Sequence, residues 1–238
     1  MAADNPSPSK PIDKLDFAIA AFVWALAFAL YVRTLAPSLL WGDTAEFQTL
    51  SYTLGMTHPS GYMTHIMIGK LFTLIPIGNI AWRVNLMSAF FASLAVAEVY
   101  LIVRLLNGWR AAAISGAILL ATLEGFWWRA LIAESYAPAA GMIASIWALV
   151  LSWDRSGRWQ YLFLAGALGG LSVGIHSAVV MTGASVLIYL ALRARTKSAW
   201  FGAAAGALVG LALTLAAFLY LDYNDPPSGI YNTVYRPN

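Results

Sequence analysis

The sequence predicts an all-α polytopic membrane protein, and three observations carry that prediction. Of its 238 residues 60% are hydrophobic and only 11% charged, whereas a soluble domain carries roughly 25% charged residues. The apolar residues fall in long runs divided by short basic clusters. Trp41, Trp82, Trp109, Trp127, Trp128, Trp153, Trp159 and Trp200 lie at the ends of those runs, where amphipathic rings settle at a membrane–water interface. The net charge of +3 is small and gathers on no basic face, which excludes a nucleic-acid partner, and the chain has no cysteine, which excludes disulfides, thiolate metal sites and a cysteine nucleophile.

Taken in order, residues 1–14 are polar and proline-rich and read as a disordered cytoplasmic tail. Residues 15–32 form the first apolar run, longer than the roughly 7–15 residues of a signal-peptide core and close to the roughly 20 of a span. A first outer loop, 33–80, follows. Within it, 62–77 is apolar but interrupted by Thr64, His65 and Lys70 and closed by Pro76 and Gly78. That pattern suits a helix lying at the membrane surface. Six further spans are expected over 84–106, 111–123, 131–153, 161–175, 178–192 and 200–221. They make seven in all within a transmembrane module of residues 15–221, with an outer C-terminal segment over 222–238. Gly202, Gly206 and Gly210 recur every fourth residue, a stripe that lets helix backbones approach closely in lipid.

The charges orient this arrangement. Lys10 and Lys14, Arg104 and Arg110, Arg155 and Arg158, and Arg193, Arg195 and Lys197 all fall in loops on the side of the N-terminus. Asp43, Glu46, Glu124, Arg129, Glu134, His176, Asp222 and Asp225 fall on the other side. Positive residues mark the cytoplasmic face, so the N-terminus is expected inside and the C-terminus outside, and an eighth span over 62–77 would spoil the pattern.

The acids and histidines therefore gather on the outer face, most densely in W-G-D-T-A-E-F-Q-T-L-S-Y-T-L-G-M-T-H-P-S-G-Y-M-T-H, Trp41 to His65. Asp43 and Glu46 stand three apart at a helix start. Asp43 as N-cap with Glu46 reaching back would form a capping box; either carboxylate would equally serve as general base or cation ligand. His58-Pro59-Ser60-Gly61-Tyr62 is a turn in which proline fixes one dihedral and glycine frees another, holding the histidine in place. His65 follows within the same stretch. Glu134-Ser135-Tyr136 enters a span, where a carboxylate faces a cavity or a partner, and Arg129 is the nearest cation in sequence. His176 closes another span at the outer edge.

These segments, W-G-D-T-A-E-F, H-P-S-G-Y, A-E-S-Y at 133–136 and G-G-L-S-V-G-I-H at 169–176, resemble the N-terminal region of a family of GT-C-type membrane glycosyltransferases. It was long labelled only as a domain of unknown function and includes a eukaryotic protein O-mannosyltransferase. The resemblance covers about residues 15–238. It implies a seven-helix GT-C module with surface helices in its first outer loop. The activity implied is sugar transfer from a polyprenyl-phosphate carrier to an acceptor on the non-cytoplasmic side. On this basis Asp43 is the candidate acid or base with Glu46 beside it. His58, Tyr62 and His65, Glu134 and Tyr136, and His176 are candidates for substrate binding, and Arg129 for the phosphate. No metal is assigned, although a divalent cation would suit the carboxylates. The expected partners are membrane lipids and the lipid-linked sugar, and the expected location is a bacterial inner membrane.

Two departures stand out. Relatives read H-P-P-G-Y-P where this chain has Ser60 and Met63. Relatives also continue with further helices beyond D-Y-N-D-P-P-S-G, so the chain is expected either to be a fragment or to work with other membrane subunits that supply that part. The alternative is a non-catalytic subunit of the same fold packed into a larger complex.

Overall fold

A computed structural model describes residues 12–59, 61–225 and 229. The expected tail lies outside the described residues except at 12–14, as does most of the expected outer segment 222–238. The described residues form ten α-helices and no strand. They are α1 (Lys14–Thr34), α2 (Asp43–Thr53), α3 (Met63–Thr73), α4 (Ile80–Asn107), α5 (Arg110–Thr122), α6 (Glu124–Ala130), α7 (Tyr136–Ser156), α8 (Trp159–Ser172), α9 (Val179–Arg193) and α10 (Lys197–Asn224).

Local chemistry sets the boundaries. Asp13 caps α1 in a reciprocal box with Asp16. The Asn79 side chain accepts from the Trp82 amide to start α4. Gly108 and Gly157, both left-handed at the C-caps, end α4 and α7. Every expected apolar run became a helix, but they are not equal. α1, α4, α7 and α10 are long and apolar enough to cross a membrane. α5 and α6 meet at a 65° bend at Leu123 and make a fifth span if counted together. α8 and α9 have 14 and 15 residues, about 21 and 22 Å of helix against a hydrocarbon core of roughly 30 Å. α3, at 11 residues, is too short to cross, in keeping with the surface role expected of 62–77.

Three clusters form the interior: α1 with α4 and α5, α7 with α4, α8 and α9, and a third beneath α2 and α3 built on Phe47, Met56, Ile66 and Leu221. The glycine stripe packs as the spacing predicts. Gly202, Gly206 and Gly210 of α10 lie against the carbonyls of Trp159, Phe163 and Ala167, and Gly166 and Gly170 of α8 face the α10 backbone, leaving no room for a Cβ at any of the five.

The basic residues at the end where α1 begins do more than mark topology. Asp16 is fully buried and accepts from Arg104 Nε and Nη2, both at 2.8 Å, from Arg110 Nε at 2.9 Å and from the Tyr100 hydroxyl at 2.9 Å. Arg110 Nη2 also reaches Asp13 at 2.7 Å. At the same end Asp154 of α7 binds Arg193 and Tyr189 of α9.

Candidate functional site

At the opposite end, helix α2 begins one residue earlier than a capping box on Asp43 would require. Gly42, at φ 65°, is the N-cap, Asp43 is the first helical residue, and no side chain caps the helix. The capping expectation is thereby corrected. Glu46 does not reach back to its own helix start; it clamps His58, accepting from the backbone amide through Oε1 and facing Nδ1 through Oε2, both at 2.7 Å. A left-handed glycine at the N-cap leaves Asp43 free, and among the described residues its carboxylate, which is exposed, has no hydrogen-bond partner.

The clamped turn is tight. The Gly61 amide donates to the His58 carbonyl at 2.8 Å. Gly61 takes φ 92° and Tyr62 φ 43°; the second is strained for a residue with a side chain. This conformation aims the Tyr62 ring along a chain of aromatic and charged groups. Ring centroids lie 5.1 Å apart for His58–Tyr62, 6.5 Å for Tyr62–His176 and 5.2 Å for His176–Tyr136. The Arg129 guanidinium stands 4.4 Å over the Tyr136 ring and donates to Glu134 Oε2 at 2.8 Å. Glu134 Oε1 accepts from Thr44 at 3.4 Å, which returns the chain to the residue beside Asp43. Eight of the nine candidates thus form one closed rim, contributed by α2, the 54–62 turn, α6, the start of α7 and the link before α9. A cavity of about 550 Å³ opens at one side of it, lined by Trp41, Asp43, Thr44, Arg129 and Glu134 among others, while Glu46, His58, Tyr62, Tyr136 and His176 do not line it. Burial, and then the nearby Asp43 carboxylate, push the Tyr62 phenol up, so it remains a hydrogen-bond donor at neutral pH.

The structure sets His65 apart. The first turn of α3 points it inward beneath Phe47, at 4.5 Å between ring centroids, where it is fully buried. Its backbone amide donates to the Gly174 carbonyl, but neither ring nitrogen has a partner among the described residues. Burial alone pulls its pKa down to about 3. It is a core histidine, not part of the rim.

Sequence reasoning missed the scaffold beneath. The Asn85 carbonyl oxygen accepts from Gln48 at 2.8 Å and from the Ala133 amide at 2.9 Å, while its amide donates to the Ala36 carbonyl at 2.9 Å. One buried side chain thus ties α2, the loop after α1 and the segment carrying Glu134. An amide in an otherwise apolar span was the available signal. Asp225, at the end of α10, accepts from the Met56 amide at 3.1 Å.

Asp43, Glu46 and His58 each offer a ligand atom within 4.8 Å of the others, and they are the set of this kind among the described residues. Two carboxylates and an imidazole suit a divalent cation such as Mn²⁺ or Zn²⁺, which would compete with the Glu46–His58 bond.

The family description of the protein O-mannosyl-transferase TMEM260 N-terminal domain matches residues 43–200, beginning at Asp43 and spanning the whole rim. The chain belongs to this family. A protein O-mannosyl-transferase TMEM260 of Mus musculus is 29% identical over 154 residues, 64% of this chain and 22% of the mouse protein. A protein O-mannosyl-transferase tmem260 of Dictyostelium discoideum is 29% identical over 99 residues, 40% of this chain and 12% of that protein. The chain therefore spans about a fifth or less of the length of these TMEM260 relatives, both of which are eukaryotic. No solved structure matches. TMEM260 membership agrees with the resemblance carried by W-G-D-T-A-E-F and A-E-S-Y, and with an integral membrane protein of apolar helices.

Proposed function

We propose that this chain is a membrane glycosyltransferase module that moves a sugar from a polyprenyl-phosphate carrier to an acceptor hydroxyl on the non-cytoplasmic side. The observation that carries the reading is that a free carboxylate, Asp43, and a guanidinium, Arg129, line one cavity at an end of an apolar bundle. Its relatives are named as protein O-mannosyl-transferases. In this reading Asp43 takes the acceptor proton as the new bond forms at the anomeric carbon and the sugar–phosphate bond breaks. Arg129, held over the Tyr136 ring, meets the leaving phosphate, for which its planar fork is well shaped. Glu46 is a positioning residue, fixing His58 in the wall. His176 and Tyr62 supply further donors along the rim beyond the cavity.

The same proposal takes α1, α4, α5, α7, α8, α9 and α10 as seven membrane helices in a GT-C-like module over residues 15–221. The first outer loop is 33–80, the N-terminus is cytoplasmic and the C-terminal segment 222–238 is outside. Segments or subunits corresponding to the rest of the relatives' length would complete acceptor recognition. Because both relatives are eukaryotic, nothing in them favours a bacterial inner membrane over another.

Two experiments test it. Membranes carrying wild type or Asp43→Asn, at matched expression, are assayed for transfer from a polyprenyl-phosphate sugar; loss in the variant is expected, and equal activity overturns the catalytic assignment. For topology, the cysteine-free chain receives Ser38→Cys or Ser156→Cys, both at exposed positions. An impermeant maleimide applied from the non-cytoplasmic side should modify only the first.

A further inference from the structure

Four tryptophans, Trp41, Trp82, Trp127 and Trp128, stand at the end of the bundle that carries the rim, and the structure divides them by use. Trp82 covers Gly78, where a Cβ would lie 2.9 Å from the ring, and packs against the cluster of α1, α4 and α5. Trp127 donates through its indole N–H to Thr34 at 3.1 Å and leans on Tyr31 at 6.3 Å between ring centroids. The fold uses both of these rings. Trp41 and Trp128 are 88% and 60% exposed. Neither indole makes a hydrogen bond or a ring contact among the described residues. Both line the 550 Å³ cavity, with Asp43, Arg129 and Glu134.

Local backbone sets them there. Gly42, left-handed at φ 65° with open space where a Cβ would be, is the one residue between Trp41 and Asp43. Trp128 precedes Arg129 in α6. Each indole thus lies within two residues of a charged group that lines the same space. An indole that only anchors a chain at a membrane surface needs no such neighbours. Open π faces beside carboxylates and a guanidinium match a carbohydrate ring. The C–H groups on the flat side of a pyranose carry slight positive charge and stack on the electron-rich face of an aromatic ring. Its hydroxyls donate to carboxylates and accept from guanidinium. The cavity also falls within the roughly 300–1,000 Å³ of small-molecule sites.

We propose that Trp41 and Trp128 form the platform on which the hexose ring of the lipid-linked donor stacks. The inference rests on the transferase reading for the identity of the donor. The donor is chosen over a sugar on the acceptor because Trp128 adjoins Arg129, and the donor's ring is bonded directly to the phosphate assigned to that guanidinium.

The test uses the full chain in lipid nanodiscs. Dissociation constants are measured for polyprenyl phosphate mannose, polyprenyl phosphate glucose and sugar-free polyprenyl phosphate. The ratio of the sugar-free value to a glycosylated one isolates the contribution of the ring. Wild type should bind at least one glycosylated carrier more tightly than the bare one. Trp41→Ala and Trp128→Ala should each cut that ratio about fivefold, the scale of one aromatic contact, and leave the bare carrier's value unchanged. Trp41→Phe and Trp128→Phe should restore most of it. Trp109→Ala, which removes an exposed indole at the other end of the bundle, should leave the ratio alone. Where transfer is assayed, the donor's KM should rise by the same factor in the alanine variants with kcat nearly constant. Equal losses for bare and glycosylated carriers would make both rings lipid anchors and overturn the proposal. Unchanged ratios in both alanine variants would do the same, as would a wild type that binds all three carriers alike. A ratio lost in the alanine variants of a chain that transfers no sugar sustains the platform and sinks the transferase reading. Transfer abolished by Asp43→Asn, with the donor's KM unchanged in both alanine variants, keeps that reading and sinks the platform.

Discussion

Asp16 and Asp43 are both aspartates in the first turn of a helix, at opposite ends of the bundle, and their surroundings could hardly differ more. Asp16 has no solvent and four charged or hydroxyl donors from Arg104, Arg110 and Tyr100. Asp43 is exposed and has no hydrogen-bond partner among the described residues. The first is a carboxylate whose capacity is used up by the fold. The second keeps its capacity open toward a cavity. Burial and pairing thus separate a structural acid from one available for chemistry, although the two look alike as letters in the sequence. His65 adds a third condition, buried with no hydrogen-bond partner for its ring nitrogens among the described residues.

That contrast can be broken in four places. The largest effect is expected from Asp16→Ala, which leaves Arg104 buried without its carboxylate. Breaking one side of such a pair costs about 3–5 kcal/mol, read as a lowered unfolding midpoint in detergent; an unchanged midpoint would make the cluster ornamental. Asp43→Asn should leave the same midpoint within about 0.5 kcal/mol while transfer falls by about 10²–10⁴-fold, the usual worth of a general acid or base.

The third concerns pH. The folded state holds His65 near pKa 3, below the 6.5 of a free imidazole. The unfolded chain therefore binds a proton that the folded chain refuses, and stability falls as pH drops through the window from about 6.5 to about 3. At pH 5, a unit and a half below the free value, the cost is about 2 kcal/mol. His65→Leu should flatten that part of a melting-temperature profile and leave pH 8 almost unaffected; an unaltered acid limb would mean the ring is protonated in the fold. The smallest effect is assigned to Glu46. Glu46→Gln retains an oxygen for the His58 amide and an amide that can donate to Nδ1, so transfer should drop less than about tenfold. Glu46→Ala should cost more, and its effect should not add to that of His58→Ala, since residues in contact couple by about 0.5–3 kcal/mol. Simple additivity would show that the clamp does not operate.

How much of this could be read from the sequence follows from the range over which each feature is determined. The apolar runs became helices because hydrophobic continuity is local, and the shortness of α3 was visible in Lys70, Pro76 and Gly78. The rim was foreseen as a set, because acids and histidines collected in segments that the charge pattern assigns to one face. Its internal wiring was not. Glu46 and His58 are twelve residues apart and Asp16 and Arg104 eighty-eight, and no periodicity reports on a pairing made across a loop or between two spans. The arginines at the end where α1 begins could be grouped on one side but not given partners. The run over 111–123 was expected to end at Leu123, where the bend falls, but the short helix α6 in the gap before residue 131 was not foreseen, because seven residues opening on Glu124-Gly125 carry no apolar period. His65 was misjudged because inward and outward faces of an 11-residue helix depend on what it packs against, and α2 and α10 were not yet in place.

The bond from Met56 to Asp225 joins positions 169 apart in the chain. It moors the end of α10 two residues from His58, so the polypeptide leaves its last described helix at the edge of the rim. Whatever is attached after that aspartate starts its path beside the candidate chemistry. An acceptor peptide fused there through a short flexible linker would meet the site at an effective concentration on the order of millimolar, however weakly it bound when free. The exit point of the chain would then act as a delivery route.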